Sequence, residues 1–409
     1  MSVTIKEAIN LIISQKLNLN TQIVPIENAL GRVSAQRIEA KIALPTFDNS
    51  AMDGYALFSE SGEFKEGYSF EVVGKILAGE DKDISLKDFE AVRIMTGAKV
   101  PKEAQTVIPQ ENVEVIGNKI KLLKDIKIDS NIRRRGEDID EGEIVIERGE
   151  EIKGAHIALF ASQGITHIEV FSKPRVAVLV SGSELKLHFE ELKESQIYNS
   201  NTYYLISRAK ELGCEAVFVG KSADDLDSIK NLIKHSLKFD LIITSGGVSV
   251  GEADYTKRAF NELGFESLFS KVKIRPGKPT TFGKIGDTLV LNLPGNPLAA
   301  ALNFEIFGRI LIHMLRGLEK IHLSFIKIPI SKDFKKKKGS DAVIPGNLEE
   351  DSFTPLSKFG PGMVNVLNRC NGFVVLSSEL SELKEGDFVK FIPIDWTLRS
   401  EKFVDFITS

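Results

Sequence analysis

From Arg175 onward the chain alternates apolar runs of strand length with amphipathic runs of helix length: RVAVLVSG, NTYYLISRAKELG, EAVFVG, DDLDSIKNLIKHSLK, DLIITSGG and DYTKRAFNELG. This alternation constrains the fold more than any other feature, because strands joined through helices pair in parallel with right-handed crossovers. Leu226, Ile229, Ile233 and Leu237 share one helical face, and Gly213 and Gly264 stand where helix C-caps belong. The spacing predicts a doubly wound α/β domain over 175–325.

The flanking sequence has a different rhythm. Between 46 and 140, short β-rich runs such as EVVGKILAG and TVIPQENVEVIGNKIKLLK are broken by Gly and Pro turns. Helical patterns at 4–14 and 154–164 lie on either side, the second with Ala158 and Ala161 at a spacing suited to close packing. The expected architecture is therefore multidomain α/β. A β-rich domain (46–140) is inserted into a discontinuous linking domain (1–45 plus 141–174), followed by the doubly wound domain and a small C-terminal β domain (326–409). Within that last segment, Lys335 to Lys338 read as a solvated turn.

Composition removes several function classes. The 409 residues are 42% hydrophobic and 27% charged, as in a folded protein, and the net charge of -4 supplies no basic field for nucleic acid or an anionic membrane. Cys214 and Cys370 are far apart with no metal-ligand spacing, so a reducing cytoplasm is expected. The opening MSVTIKEAINLIISQKL is too polar for a signal peptide and reads as an amphipathic helix. No apolar run approaches the roughly 20 residues of a membrane span, and Ile310 to Leu315 reads as the end of a core helix.

Ligands of open parallel sheets bind beyond the carboxyl ends of the strands, where the Gly-rich turns fall here. In DLIITSGGVSVGEADYTK the amides of Ser245, Gly246, Gly247 and Val248 can converge on an oxyanion because no Cβ obstructs them, and Ser249 continues the same loop. Ser181-Gly182-Ser183-Glu184 offers a second such loop. Asp224 and Asp254 stand at helix starts, as N-caps or as carboxylates beside an anion site. In the second case, with Glu184, they imply Mg²⁺ to offset repulsion. Lys271, Lys273, Arg275 and Lys278 surround a Pro-Gly turn as a local anion clamp, and Pro294 and Pro297 bracket another strand end. Further upstream, Asp53 precedes Gly54, Thr96 precedes Gly97, and Arg133, Arg134 and Arg135 stand near Asp138.

Taken in order, SAMDGYA, RIMTGA, RRRGED, SGSEL, ITSGGVSVGEADY, RPGKP and PGNP closely resemble the molybdopterin molybdenumtransferase family, the MoeA-type proteins related to the E domain of gephyrin. The resemblance implies Mg²⁺-assisted reaction of adenylylated molybdopterin with molybdate, giving molybdenum cofactor and AMP. AMP would be released by molybdate attack or by dithiolene capture. It also implies an elongated homodimer, with the site between the doubly wound domain of one subunit and the N-terminal domains of the other. On matching positions, Glu184, Asp224 and Asp254 would handle Mg²⁺ and the phosphate end. Asp53, Thr96, Arg133 to Arg135 and Asp138 would reach across the dimer interface. Pro294 and Pro297 would shape a molybdate pocket, and Lys271, Arg275 and Lys278 would attract molybdate or the pterin phosphate. Arg275 stands where many relatives have Lys, which preserves charge and alters donor geometry. Molybdopterin adenylyltransferase and apo-molybdoenzymes are the expected protein partners. The competing readings are the adenylyltransferase itself, disfavoured by SAMDGYA and the C-terminal β domain, and a gephyrin-like scaffold without catalysis.

Overall fold

The computed structural model describes residues 2–222, 225–246, 253–349 and 351–394, with the side chains of Ala253 and Asp254 excluded. The chain divides into two compact units. One comprises Met1–Gln36, Arg148–Lys153 and His167–Ser409, and the other Arg37–Glu147 and Gly154–Thr166.

In the larger unit, the strands Glu215–Ser222, Arg175–Ser181, Leu241–Ser245 and Thr288–Leu293 pair side by side in parallel. The hairpin partner Thr281–Ile285 and then Glu266–Phe269 extend the sheet antiparallel. Val176 to Val180 and Leu241 to Ser245 are wholly buried, which follows from helices covering both faces and explains the apolar runs Val176–Val180 and Leu241–Ile243. The predicted helices form as Asn201–Glu211, Leu226–Ser236 and Ala253–Glu262. Gly213 and Gly264 follow two of them at φ +87° and +82°, a conformation that suits glycine.

Two cap assignments need correcting. Asp225 holds the helix Leu226–Ser236 by accepting from Ser228 N at 2.8 Å, whereas Asp224 lies outside the described residues. Asp254 is inside the first turn of Ala253–Glu262 rather than before it. Elsewhere, Thr4 and Glu7 form a reciprocal capping box that starts the helix Ile5–Ile13, which buries Ala8 and Ile12.

Among the described residues, the longest apolar helix runs Pro297–Leu315 with one π turn at Phe304–Gly308, and its burial in the core accounts for its composition without a membrane. Beyond it, Asp341–Glu349, Gly372–Leu376, Phe388–Pro393 and Ile326–Pro329 build the C-terminal sheet. That sheet also recruits Ile274–Arg275 from the preceding domain as a parallel edge, with Arg275 opposite Ala342.

The smaller unit is built on a six-stranded sheet ordered Thr106–Pro109, Gly54–Phe58, Glu90–Ile94, Ser69–Ile76, Lys119–Leu122 and Val113–Ile116. Its helix Gly154–Ser162 buries Phe160, while Ala158 and Ala161 are exposed rather than packed within this chain.

Candidate active site

Register brings the strand-end loops of the larger unit together. Val180 lies opposite Ser245, and Ser245 opposite Leu293, so the chain leaves three adjacent strands at one level. The loops after them wall a cleft of about 820 Å³ that includes Ser181, Glu184, Ser245, Gly246, Pro294 and Pro297. These are the positions at which the sequence suggested ligand loops.

Close packing fixes the cleft floor. Gly246 has φ +95°, and a Cβ there would sit 2.9 Å from the carbonyl oxygen of Ser181. Gly182 has φ +145°, and its missing side chain leaves room for the Glu184 carboxylate, whose oxygens lie 2.8 and 2.9 Å from where a Cβ would be. The Ser245 hydroxyl donates to Pro294 O at 3.1 Å.

Asn201 joins the same loops and was not singled out from sequence. Its Nδ2 donates to Ser245 Oγ at 2.8 Å and to Gly295 O at 2.7 Å. Asn199 orients the helix that carries it, accepting from Thr202 N at 3.2 Å and donating to Thr202 Oγ1 at 2.9 Å. The available signal was the NSN triplet before a helix, where short polar side chains bond to nearby main chain. Tyr198, also on the cleft wall, belongs to the ribbon Ile197–Tyr198 that pairs with Leu185–Lys186 and so stands beside Glu184.

The basic clamp is not assembled around this cleft. Lys271, Arg275 and Lys278 are exposed, and only Pro279 of that turn lines the cleft. Lys271 lies in a short strand paired with Ser2, and Arg275 faces a different pocket against the C-terminal sheet. Alternation along the extended segment, with Val272 and Ile274 buried, sends Lys271, Lys273 and Arg275 outward, and Lys278 lies beyond the Pro-Gly turn. Gly247, Ser249 and Asp224 lie outside the described residues, as does the side chain of Asp254.

In the smaller unit three motifs meet around Ser50. Ser50 pairs with Ile132, donates its amide to Ala98 O at 3.0 Å, and accepts from Gly97 N at 2.8 Å. Asp53 Oδ1 accepts from Thr96 N at 2.7 Å and from Thr96 Oγ1 at 2.8 Å. These two donors hold the Asp53 carboxyl below the usual aspartate range. Of the arginines, Arg134 is tied to Asp48 and Asp129, and Arg135 lies 3.7 Å from Asp140 and 3.6 Å from Glu141. Burial pushes the Asp48 carboxyl up, but the Arg135 amide and Arg134 guanidinium outweigh it and leave the group below its ordinary value. Arg133 has no carboxylate partner among the described residues and is exposed, as is Asp138.

Neither cysteine belongs to the cleft. Burial pushes the thiols of Cys214 and Cys370 up to about 12 and about 11, which makes both poor nucleophiles. Among the described residues there is no cluster of three His, Cys, Asp or Glu side chains able to hold a metal.

A doubly wound sheet with a cleft at the strand carboxyl ends, followed by a β domain, defines a multidomain α/β protein whose cleft lies where open parallel sheets bind their ligands. Three family descriptions match the chain in succession: the MoeA N-terminal region (domain I and II) at residues 3–164, a probable molybdopterin binding domain at 177–313, and the MoeA C-terminal region (domain IV) at 327–394. A molybdopterin molybdenumtransferase of Staphylococcus aureus is 34% identical over 82% of this chain and 81% of its own length. One from Staphylococcus epidermidis is 31% identical over 95% of each. A crystal structure of a molybdopterin biosynthesis MoeA protein from Pyrococcus horikoshii matches with TM-score 0.81 and 32% identity, covering 97% of this chain and 100% of that one. A second from the same species matches with TM-score 0.85 and 26% identity, over 96% and 100%. The chain belongs to the MoeA-type molybdopterin molybdenumtransferase family, transferases of molybdenum cofactor biosynthesis.

Proposed function

We propose that this protein inserts molybdate into adenylylated molybdopterin, releasing AMP and completing the molybdenum cofactor. The observation that carries the reading is the convergence of three strand-end loops on one cleft of about 820 Å³, room for a nucleotide-sized ligand, in a chain of this family. The described floor offers small residues and a main chain closed on itself by hydrogen bonds, with no thiol or imidazole in its described lining. Its part is therefore to bind and orient a phosphoanhydride while molybdate, as substrate, meets the dithiolene.

Mg²⁺ suits the donor chemistry, because Glu184 presents a hard carboxylate to the cleft and no thiol or imidazole is among the described lining residues. Glu184 would hold the ion, with Asp224 and Asp254 proposed as further ligands from the neighbouring loops. When bound, the ion supplies charge neutralisation at the phosphoanhydride oxygens. Ser245 and Gly246 would form the floor on which the anionic end of the substrate rests, and Asn201 keeps their loop against Gly295. Pro294 and Pro297 stiffen the wall proposed to face molybdate.

The proposed assembly is a cytoplasmic homodimer in which Asp53, Thr96, Arg133 and Asp138 of one subunit complete the cleft of the other. The free Arg133 guanidinium is the best placed of the three arginines to meet an anion. The decisive assay mixes the protein with adenylylated molybdopterin, Mg²⁺ and molybdate, then follows AMP release and activation of an apo-molybdoenzyme. AMP release that ignores molybdate would sink the insertion reading. Mixing inactive Asp53→Ala and Asp254→Ala subunits should restore part of the activity, and no recovery would count against a shared site.

A further inference from the structure

Another cavity, of about 660 Å³, opens at the opposite edge of the doubly wound sheet. Arg175 and Thr288, which line it, begin two of the parallel strands, and Asp240, also in its wall, immediately precedes a third. The cleft and this cavity therefore lie at the two ends of the same strands, and Arg175–Ser181 alone spans about 20 Å between them. Every residue of the wall belongs to the larger unit.

The cavity is cationic, and few groups of the chain answer its charge. Lys16, Lys173, Arg175, Lys238 and Lys284 line it, against Asp240 and Asp287. Asp240 is committed to Arg175, accepting from its amide at 2.7 Å with the guanidinium 3.8 Å away, and Lys284 lies 3.4 Å from Glu266. Lys16, Lys173 and Lys238 are exposed and have no carboxylate partner among the described residues. Lysines that follow helices, as Lys16 follows Ile5–Ile13 and Lys238 follows Leu226–Ser236, commonly answer the last carbonyls. Here other groups do so. Leu11 O accepts from Ser14 Oγ at 2.9 Å and from Gln15 Nε2 at 3.0 Å, while Leu237 O and Phe239 O accept from Thr288 Oγ1 at 2.9 and 3.1 Å. Three ammonium groups are left on the wall, and Asp287 offsets one charge of the three.

We propose that this cavity binds a compact polyanion, a small polycarboxylate or polyphosphate, at a site remote from the reaction cleft. Ammonium groups on flexible stems act as point charges and suit either oxyanion, whereas arginine forks would select one planar geometry. Asn18, Asn20 and Ser172 add neutral polar side chains to the same wall. Half-buried Leu17, Leu19 and Phe239 lower the local dielectric and so strengthen the field of the lysines. A ligand held by Lys16, Lys173 and Lys238 would tie together the end of the first helix, the segment that enters the sheet and the end of Leu226–Ser236. This assignment stands apart from the reaction proposed above.

Calorimetric titration of the full chain with tricarballylate and with trimetaphosphate tests it. Both probes chelate Mg²⁺ weakly, so Mg²⁺ and saturating AMP can be present to fill the cleft. At least one probe is expected to bind one per chain, and the tighter of the two names the oxyanion class. Lys16→Ala, Lys173→Ala and Lys238→Ala should each weaken binding on the order of fivefold, and added salt should weaken it further. The double variant Lys121→Ala/Lys124→Ala, at two exposed lysines of the smaller unit, should leave it unchanged. Four results overturn the proposal: neither probe bound at millimolar concentration, binding insensitive to the cavity substitutions, an equal loss in the Lys121/Lys124 variant, or binding seen only without AMP. Failure of AMP to bind at all would instead count against the proposed reaction, and the lysine variants would still decide the cavity.

Discussion

Gly246 is the position at which the cleft is most sharply testable. Gly246→Ala places a methyl group 2.9 Å from Ser181 O, a backbone atom, at φ +95°. The backbone strain of a non-glycine residue there costs about 1–3 kcal/mol. Relief of the overlap must also shift Ser181 or Gly246 by several tenths of an ångström, which brings the expected total to about 2–4 kcal/mol. Any such shift moves Gly182 and Glu184 with Ser181, so binding should suffer beyond stability. Gly264→Ala is the matched control, since it has φ +82° with no atom within 4 Å of the new methyl and carries strain alone. Its expected cost is about 1–2 kcal/mol. Urea denaturation and AMP titration of both variants provide the comparison. Both should lose stability, and only Gly246→Ala should lose more than about tenfold in AMP affinity. Unchanged AMP affinity in Gly246→Ala, or an equal loss in Gly264→Ala, would refute the assignment of Gly246 to the cleft floor.

Asn201→Ala removes both bonds that join the Ser245 and Gly295 loops, each contributing about 1 kcal/mol, and should raise the KM for adenylylated substrate. Asn201→Asp should be worse in the same kinetic assay, because a carboxylate oxygen then faces Gly295 O at the former donor position. Thr96→Ala removes one of the two donors to Asp53, so the Asp53 titration followed by carboxyl-selective NMR should move up towards the ordinary aspartate value. The sign for stability follows: a lowered folded pKa stabilises above the unfolded value of about 3.9 and is lost as pH falls through the folded value, and the substitution should narrow that window. Glu305→Ala should lower the urea midpoint by an amount equivalent to about 3–5 kcal/mol, since it strands buried cations. Glu305 is fully buried and accepts from Arg208 Nε at 2.7 Å, Tyr204 Oη at 3.0 Å and Arg309 at 3.3 Å. Hydrogen exchange should then rise first near Pro393 and Ile394, whose carbonyls take bonds from Arg309 and Arg208 at 2.8 and 2.7 Å.

Glu305 also marks where sequence legibility ends. The doubly wound sheet could be read because its signals are local: apolar runs of strand length, one-faced helices, and glycines at the turns. The cleft was half legible for the same reason, since Ser245, Gly246, Glu184, Pro294 and Pro297 sit where strands end. Contacts between distant segments leave no such signal. Glu305 is one acidic residue inside the apolar stretch NFEIFG, and nothing adjacent shows that Arg208, some 97 positions earlier, is its partner. Arg275 poses the same problem in another form. It stands three residues before Lys278 and reads as half of one clamp, yet its strand pairs with Ala342 of the C-terminal sheet and turns it towards Lys337 and Lys338. Charge counted along the chain joined Arg275 to Lys278. Strand pairing joins it instead to a lysine run some 60 positions away, so a basic motif fixes the sign of a ligand before it fixes which cavity receives it.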